Sequence, residues 1–409
     1  MEILTNSEAL QHCQLLSNLI DQNIKNNNGW LPFSQFMDLA LYSPQYGYYT
    51  SGTFKFGLGG DFITAPEISN LFGATLGKTI APILDYFSKK NNPSNILELG
   101  AGSGKLCRDV LMYLKDIDQL PDHYFILDLS PDLIDRQKNT LQKFLIEYKI
   151  KTSIEWISDI PNEFNGVILA NEVLDAIPFD LVIYKNKKWY YQGVKINPSA
   201  QSTTFSDHWL WEDGLEVPHD VLPDYLQQPS VIYPENYITE IHPRSHALVK
   251  MIAEKLSEGI FIAIDYGFPE HEYYHPQRAQ GTHIAHHQHH SIPDMFYLPG
   301  LCDITSHVEW SSLNRTAAQA GMGLIHYQSQ GAYLLHAGIG DLFLEQIDPT
   351  DSRVYIAASH AFQKLISEAE MGELFKIIAW NKNMSGNIEF ENLCANLPGF
   401  TNRQRLLEA

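Results

Sequence analysis

The stretch ILELGAGSGKL, Ile96 to Leu106, decides the fold. Its apolar run, Ile96, Leu97 and Leu99, is broken only by Glu98. Glycines then stand at alternate positions, Gly100, Gly102 and Gly104, before residues that read as the start of a helix. Strand, glycine turn and helix in that order form the nucleotide-binding corner of a doubly wound sheet, because glycine lets the backbone turn tightly and approach a ligand. Spacing disfavours one ligand class, the dinucleotides, and excludes another. The dinucleotide fingerprint wants a further glycine where Lys105 stands, and no Gly-Lys-Ser/Thr follows at the distance a phosphate-cradling loop requires.

Outward from this corner the chain alternates strand and helix, the mark of a parallel sheet covered on both faces. HYFILDLS reads as a strand with Asp128 at its end and Leu129 beside it, and PDLIDRQKNTLQKFLIEY as a helix with Pro131 in its first turn. An acid at the position of Asp128 accepts hydrogen bonds from ribose hydroxyls. SDIP, with Asp159 and Ile160, is the loop after the next strand and is expected to flank an adenine. FNGVILANEVLDAIP is expected as a strand running into a short helix. That places Asn171 and Glu172 outside the carboxyl end of a strand, with Asp175 on the face of Glu172. S-adenosylmethionine (SAM) has no pyrophosphate and carries an ammonium and a sulfonium, so acidic surroundings suit it. The expected cofactor-binding residues are Glu98, Gly100, Gly102, Gly104, Asp128, Leu129, Asp159, Ile160 and Asn171, with Asp61 and Phe62 closing over the site from GGDFITAPEIS. In that loop Thr64 or Ser69 is expected to cap the following helix.

The rest of the chain divides by pattern. Residues 1–90 read as N-terminal helices and a cofactor-covering loop, 91–180 as a Rossmann-like core, 181–240 as an inserted cap, and 241–409 as the remainder of the core sheet with further cap elements. DLVIYKNKKWYYQGVKI is a hairpin by its polar turn, and IFIAIDYG a buried strand ending in Asp265 and Tyr266. GLIHYQSQGAYL and FKIIAWNKN are further strand candidates. The expected fold is α/β.

The totals narrow the partners. The 409 residues carry a net charge of −20, which disfavours nucleic acid and anionic lipid and favours a basic partner. Cys13, Cys107, Cys302 and Cys394 are scattered, so neither a disulfide framework nor a zinc site is expected. The N-terminus lacks signal-peptide and transit-peptide character, and no apolar run nears the roughly 18 residues that span a bilayer. A cytoplasmic protein is expected, and a homodimer is compatible with the sequence.

With those residues in view, the chain resembles the MidA-like SAM-dependent methyltransferases. The resemblance is carried by FMDLALYSPQYGYYT, GDFITAPEIS, ELGAGSGKL, NEVLDAIPFD, DYGFPE, QGT, PGLCDITSHVEW and QGAYL, in that order along the chain. It implies a class I methyltransferase sheet with an added cap. For the mitochondrial members, which assist assembly of respiratory complex I, it also implies symmetric dimethylation of an arginine on a complex I subunit. One segment departs: after GT the family pattern runs to Leu and Arg, whereas here GTHIAHHQHH brings His283, His286, His287, His289 and His290. Without cysteines or spaced acids beside them, no metal site is expected there.

A cationic, delocalised guanidinium is a poor nucleophile, and paired carboxylates grip it bidentately and localise its charge. Glu172, Asp175 and Asn171 are therefore the catalytic candidates. Glu240, Asp265 and Tyr266 are expected nearer a substrate that is a protein segment bearing arginine. Two readings compete: a small-molecule methyltransferase, which needs no paired acids, and a SAM-binding assembly factor that acts through protein contacts.

Overall fold

The computed structural model describes residues 7–51, 64–200, 205–228 and 230–400. The chain forms two compact units. The core unit comprises Ile63–Leu174, Leu248–Gly267 and Leu313–Ala409; the second comprises Met1–Phe62, Asp175–Ala247 and Phe268–Ser312.

In the core unit the strands are β1 (Asn95–Leu99), β2 (His123–Leu127), β3 (Ser153–Ile157), β4 (Phe164–Asn171), β5 (Leu256–Phe268), β6 (Gly323–Ser329) and β7 (Phe375–Asn383). They lie in the order β3-β2-β1-β4-β5-β7-β6. Neighbours from β3 to β5 are parallel, and β7 runs antiparallel to both β5 and β6. The near-continuous apolar runs of β1, β4 and β5 follow from this placement, since central parallel strands are covered on both faces. The helices α1 (Asn70–Lys89), α2 (Lys105–Asp116) and α3 (Pro131–Tyr148) pack on the sheet. Leu76, Ile80 and Ile83 of α1, Val110 and Leu114 of α2, and Leu141 of α3 are all buried with Ile96, Ile126, Val167 and Ile262. Burying each such side chain contributes on the order of 1.5–3 kcal/mol. Helix α1, grouped by sequence with the N-terminal segment, thus belongs to this core. Gly73 on α1 lets the helix approach α2 closely, for a Cβ there would stand 2.6 Å from Cβ of Asp109.

One expected strand is shorter than its sequence pattern. GLIHYQSQGAYL is a strand only to Ser329, and Gln330–Ala337 is a helix.

The second unit is built around the expected hairpin, Asp180–Lys185 with Lys188–Ile196, whose strands pair antiparallel. Tyr237–Ile241 adds to one side, and Leu31–Pro32 and Trp209–Glu216 pair with Lys188–Ile196. The helices Ser7–Asn26 and Phe33–Tyr42 bury Leu16, Ile20, Phe33, Phe36 and Met37 with Phe179, Leu181 and Trp209. The His-rich segment forms a hairpin, Ile284–His287 with His290–Ile292, and Asp303–Thr305 joins as its third strand.

Candidate functional site

The strand order reverses between β1 and β4, which pair with Leu99 beside Ala170. In an open α/β sheet the crevice outside the carboxyl ends of the strands at such a reversal is where ligands bind. The glycine turn follows β1 at this point. Gly100, Gly102 and Gly104 have φ of +63°, +54° and +81°. That left-handed region penalises any L side chain, so the alternating glycines are a backbone requirement. Gly104 caps α2 without a side-chain hydrogen bond.

Glu98 is buried beneath the turn and accepts a hydrogen bond from the Tyr124 hydroxyl at 2.6 Å. Burial lifts its carboxyl from the usual carboxylate range to about 7; the Tyr124 hydrogen bond opposes the rise and the charge of Asp128 adds to it. Asp128 ends β2 as expected. Its Oδ1 accepts the Ser130 N–H at 3.0 Å and its Oδ2 accepts Nε2 of Gln137 at 2.9 Å. Gln137 and its partner Trp156, whose indole N–H donates to Gln137 Oε1 at 2.8 Å, escape a sequence reading. Leu129, next to Asp128, is 69% exposed. After β3, Asp159 turns one oxygen to the N–H of the buried Ile160 at 2.8 Å and pairs the other with Lys255 at 3.2 Å.

Past β4 the expected short helix is absent: β4 ends at Asn171 and the chain enters a non-helical turn. The helical spacing that was to align Glu172 with Asp175 therefore does not exist. Glu172 instead takes a left-handed backbone, φ +53°, with its N–H bonded to Ile264 O at 2.8 Å. A non-glycine residue held there costs about 1–2 kcal/mol, a kind of strain that clusters at functional sites. Its Oε1 accepts the Ala65 N–H at 3.3 Å and Asn171 Nδ2 at 3.2 Å. Asp265 is fully buried and accepts the N–H groups of Leu174 and Tyr266, at 3.0 and 2.9 Å, so it shapes the turn. Tyr266 packs edge-on against Phe375.

The APE segment is fastened to the same corner. Lys105 Nζ donates to Pro66 O at 2.5 Å, and the Ser103 hydroxyl donates to Glu67. Of the two expected caps, Ser69 receives the Leu71 N–H at 3.2 Å, while Thr64 makes no capping bond. Asp61 and Phe62, expected over the cofactor, lie outside the described residues.

The remaining candidates belong to the second unit. Asp175 is buried, and its carbonyl accepts the Ser306 N–H at 3.1 Å. Its charge and that of Asp303 raise the Tyr49 hydroxyl further above a value already lifted by burial, and Tyr49 donates to Asp303 at 2.7 Å. Tyr49 and Asp303 lie in two of the resemblance motifs, YSPQYGYYT and PGLCDITSHVEW, and neither is among the expected catalytic or cofactor-binding residues. Glu240 is wholly buried. It accepts the N–H groups of Thr282 (2.7 Å) and His283 (2.9 Å), the hydroxyls of Tyr273 (2.8 Å) and Thr282 (3.2 Å), and bonds Nδ1 of His283 at 2.5 Å. These bonds use its acceptor positions, so Glu240 anchors the QGT turn and has no place for an incoming guanidinium. Among the described residues no group of His, Cys, Asp and Glu is arranged to hold a metal ion.

The core unit fits SAM on its own geometry. Leu129 offers an exposed apolar side chain to a flat ring, beside the Asp128 carboxylate, a group able to accept from ribose hydroxyls. Asn171 Oδ1 is buried with no hydrogen-bond partner among the described residues, an acceptor suited to an ammonium. Glu98 and Asp128 add the negative surroundings that a sulfonium favours.

Comparison with known proteins agrees. A crystal structure from Burkholderia thailandensis bound to S-adenosyl-homocysteine is 38% identical, with a TM-score of 0.86 over 95% of this chain and 97% of that one. The curated protein arginine methyltransferase NDUFAF7 of Danio rerio mitochondria is 25% identical over 377 residues, covering 86% of this chain and 83% of that protein. Its Homo sapiens counterpart is 24% identical over 385 residues, covering 86% and 80%. A model of a SAM-dependent methyltransferase family matches residues 75–328. The chain belongs to this family of S-adenosyl-L-methionine-dependent methyltransferases, and SAM is its cofactor.

Proposed function

We propose that the methyl acceptor is an arginine of a protein. The observation that carries this reading is the likeness to curated protein arginine methyltransferases over four-fifths or more of their length. The net charge of −20 supports it, since a negative surface draws in a basic segment. So does Glu172, a carboxylate fixed at the end of β4 beside the glycine turn.

When bound, SAM supplies an electrophilic methyl group on a sulfonium. Asp128 holds the ribose hydroxyls, and Leu129 covers one face of the adenine. Asn171 Oδ1 accepts from the ammonium. Glu172 grips the guanidinium, localises its charge and takes the proton that leaves the nitrogen.

The test adds purified protein and methyl-labelled SAM to lysate from cells lacking the protein. Label in a protein band, mapped by mass spectrometry to arginine, is the expected result. Label confined to small molecules, or to residues other than arginine, overturns the reading. Glu172→Gln should cut transfer by about 10²-fold or more, in the range of a lost acid–base group, and leave SAM affinity within about threefold. Full transfer by that variant removes Glu172 from the mechanism.

A further inference from the structure

Helix α3 buries Leu133, Gln137, Leu141 and Phe144, so its inner face carries a glutamine in an otherwise apolar stripe. Gln137 is 0% exposed. A buried primary amide is costly unless its groups are satisfied. Here Nε2 donates to Gly102 O and to Asp128 Oδ2, both at 2.9 Å, and Oε1 accepts the Trp156 indole N–H at 2.8 Å. The orientation follows from chemistry: an indole nitrogen only donates, so the amide oxygen must face Trp156 and the amide nitrogen must face the two acceptors. One side chain thus ties the glycine turn after β1, the acid ending β2 and strand β3.

We propose that Gln137 is a positioning residue for the nucleoside half of SAM, acting through Asp128 by holding its carboxylate at a fixed distance from the Gly102 backbone. The inference rests on the reading of this corner as the SAM site. Ser130 N–H meets Oδ1 of Asp128, whereas Gln137 bonds both Oδ2 of Asp128 and the carbonyl of Gly102 in the glycine turn. A hydrophobic residue would pack the stripe equally well and make neither bond. It would leave the half-buried Gly102 O and Trp156 indole N–H without these bonds and remove the tie between the Asp128 carboxylate and the glycine turn.

The test measures dissociation constants for S-adenosyl-homocysteine and for 5′-methylthioadenosine, which keeps the nucleoside and lacks the amino-acid end. Gln137→Met preserves length and removes the hydrogen bonds. It is expected to weaken both ligands by the same factor, about tenfold, as suits loss of a bond to a charged group. In an Asp128→Ala background the same change should cost less than about twofold, because residues acting as one unit are not additive. A merely structural role would carry the full factor into that background. Trp156→Phe keeps Gln137 and removes only the donor that orients it. It should weaken both ligands about threefold and serves if Gln137→Met fails to fold. Unchanged affinity in these variants overturns the proposal, as does a Gln137→Met loss that persists without Asp128. Failure of the wild-type protein to bind S-adenosyl-homocysteine overturns the SAM reading itself and is thereby told apart.

Discussion

Glu98 gives the sharpest quantitative test. Its carboxyl is buried under the glycine turn and titrates near 7 instead of 4.5, desolvation outweighing the Tyr124 hydrogen bond. A folded-state value raised above the unfolded one means that the folded protein binds the proton more tightly. The associated stability is complete below the unfolded value and is lost as pH rises through the folded one. Over the full window, about 4.5 to 7, the loss is on the order of 3 kcal/mol at about 1.4 kcal/mol per pH unit. Glu98→Gln keeps the volume and an acceptor for Tyr124 but does not titrate. Denaturant unfolding of both proteins from pH 5.5 to 8 should show the wild type losing about 2 kcal/mol relative to the variant by pH 7.5, then running parallel to it. A cationic ligand held at the glycine turn would favour the ionised form. Binding of SAM near pH 7 should therefore release part of a proton, read by calorimetry in buffers of different ionisation enthalpy, and Glu98→Gln should abolish the release. A stability difference that does not vary with pH would refute the account of Glu98 as a dry, half-titrated acid.

Two further outcomes follow from the geometry. Gly100→Ala forces a side chain onto φ +63° and places its Cβ 3.2 Å from Val173 Cγ2. With a left-handed cost of about 1–2 kcal/mol, SAM affinity measured by calorimetry should fall about tenfold with the circular dichroism spectrum unchanged. Glu240 behaves oppositely to Glu98: its hydrogen bonds and His283 hold its carboxyl down to about 2 against the cost of burial. Its stabilisation is present above the unfolded value near 4.5 and lost as pH falls towards 2. Glu240→Ala, which strands the facing donors, should destabilise the protein by about 3–5 kcal/mol at pH 7, read from denaturant midpoints, with the deficit shrinking below pH 4.5.

What the sequence determined by itself was local and repetitive. Alternating glycines after an apolar run marked a tight strand-to-helix turn, and the folded chain gives all three a left-handed backbone. The alternation of strand and helix specified a parallel sheet, and the acid after HYFIL marked its ligand edge. The tertiary structure decided whatever depended on partners distant in the chain. Nothing in the helix pattern around Gln137 marks the bonds it makes to Trp156 and Gly102 in the folded chain. Glu240 reads as a free acid near a substrate until the QGT turn and His283 use its oxygens. Glu172 and Asp175 are spaced to share a helical face, but Glu172 takes a left-handed backbone, φ +53°, and the chain after β4 is a non-helical turn. Periodicity reports which side of an element is dry. It cannot report which donor meets which acceptor, because a hydrogen bond is set by positions in space that only the folded chain supplies.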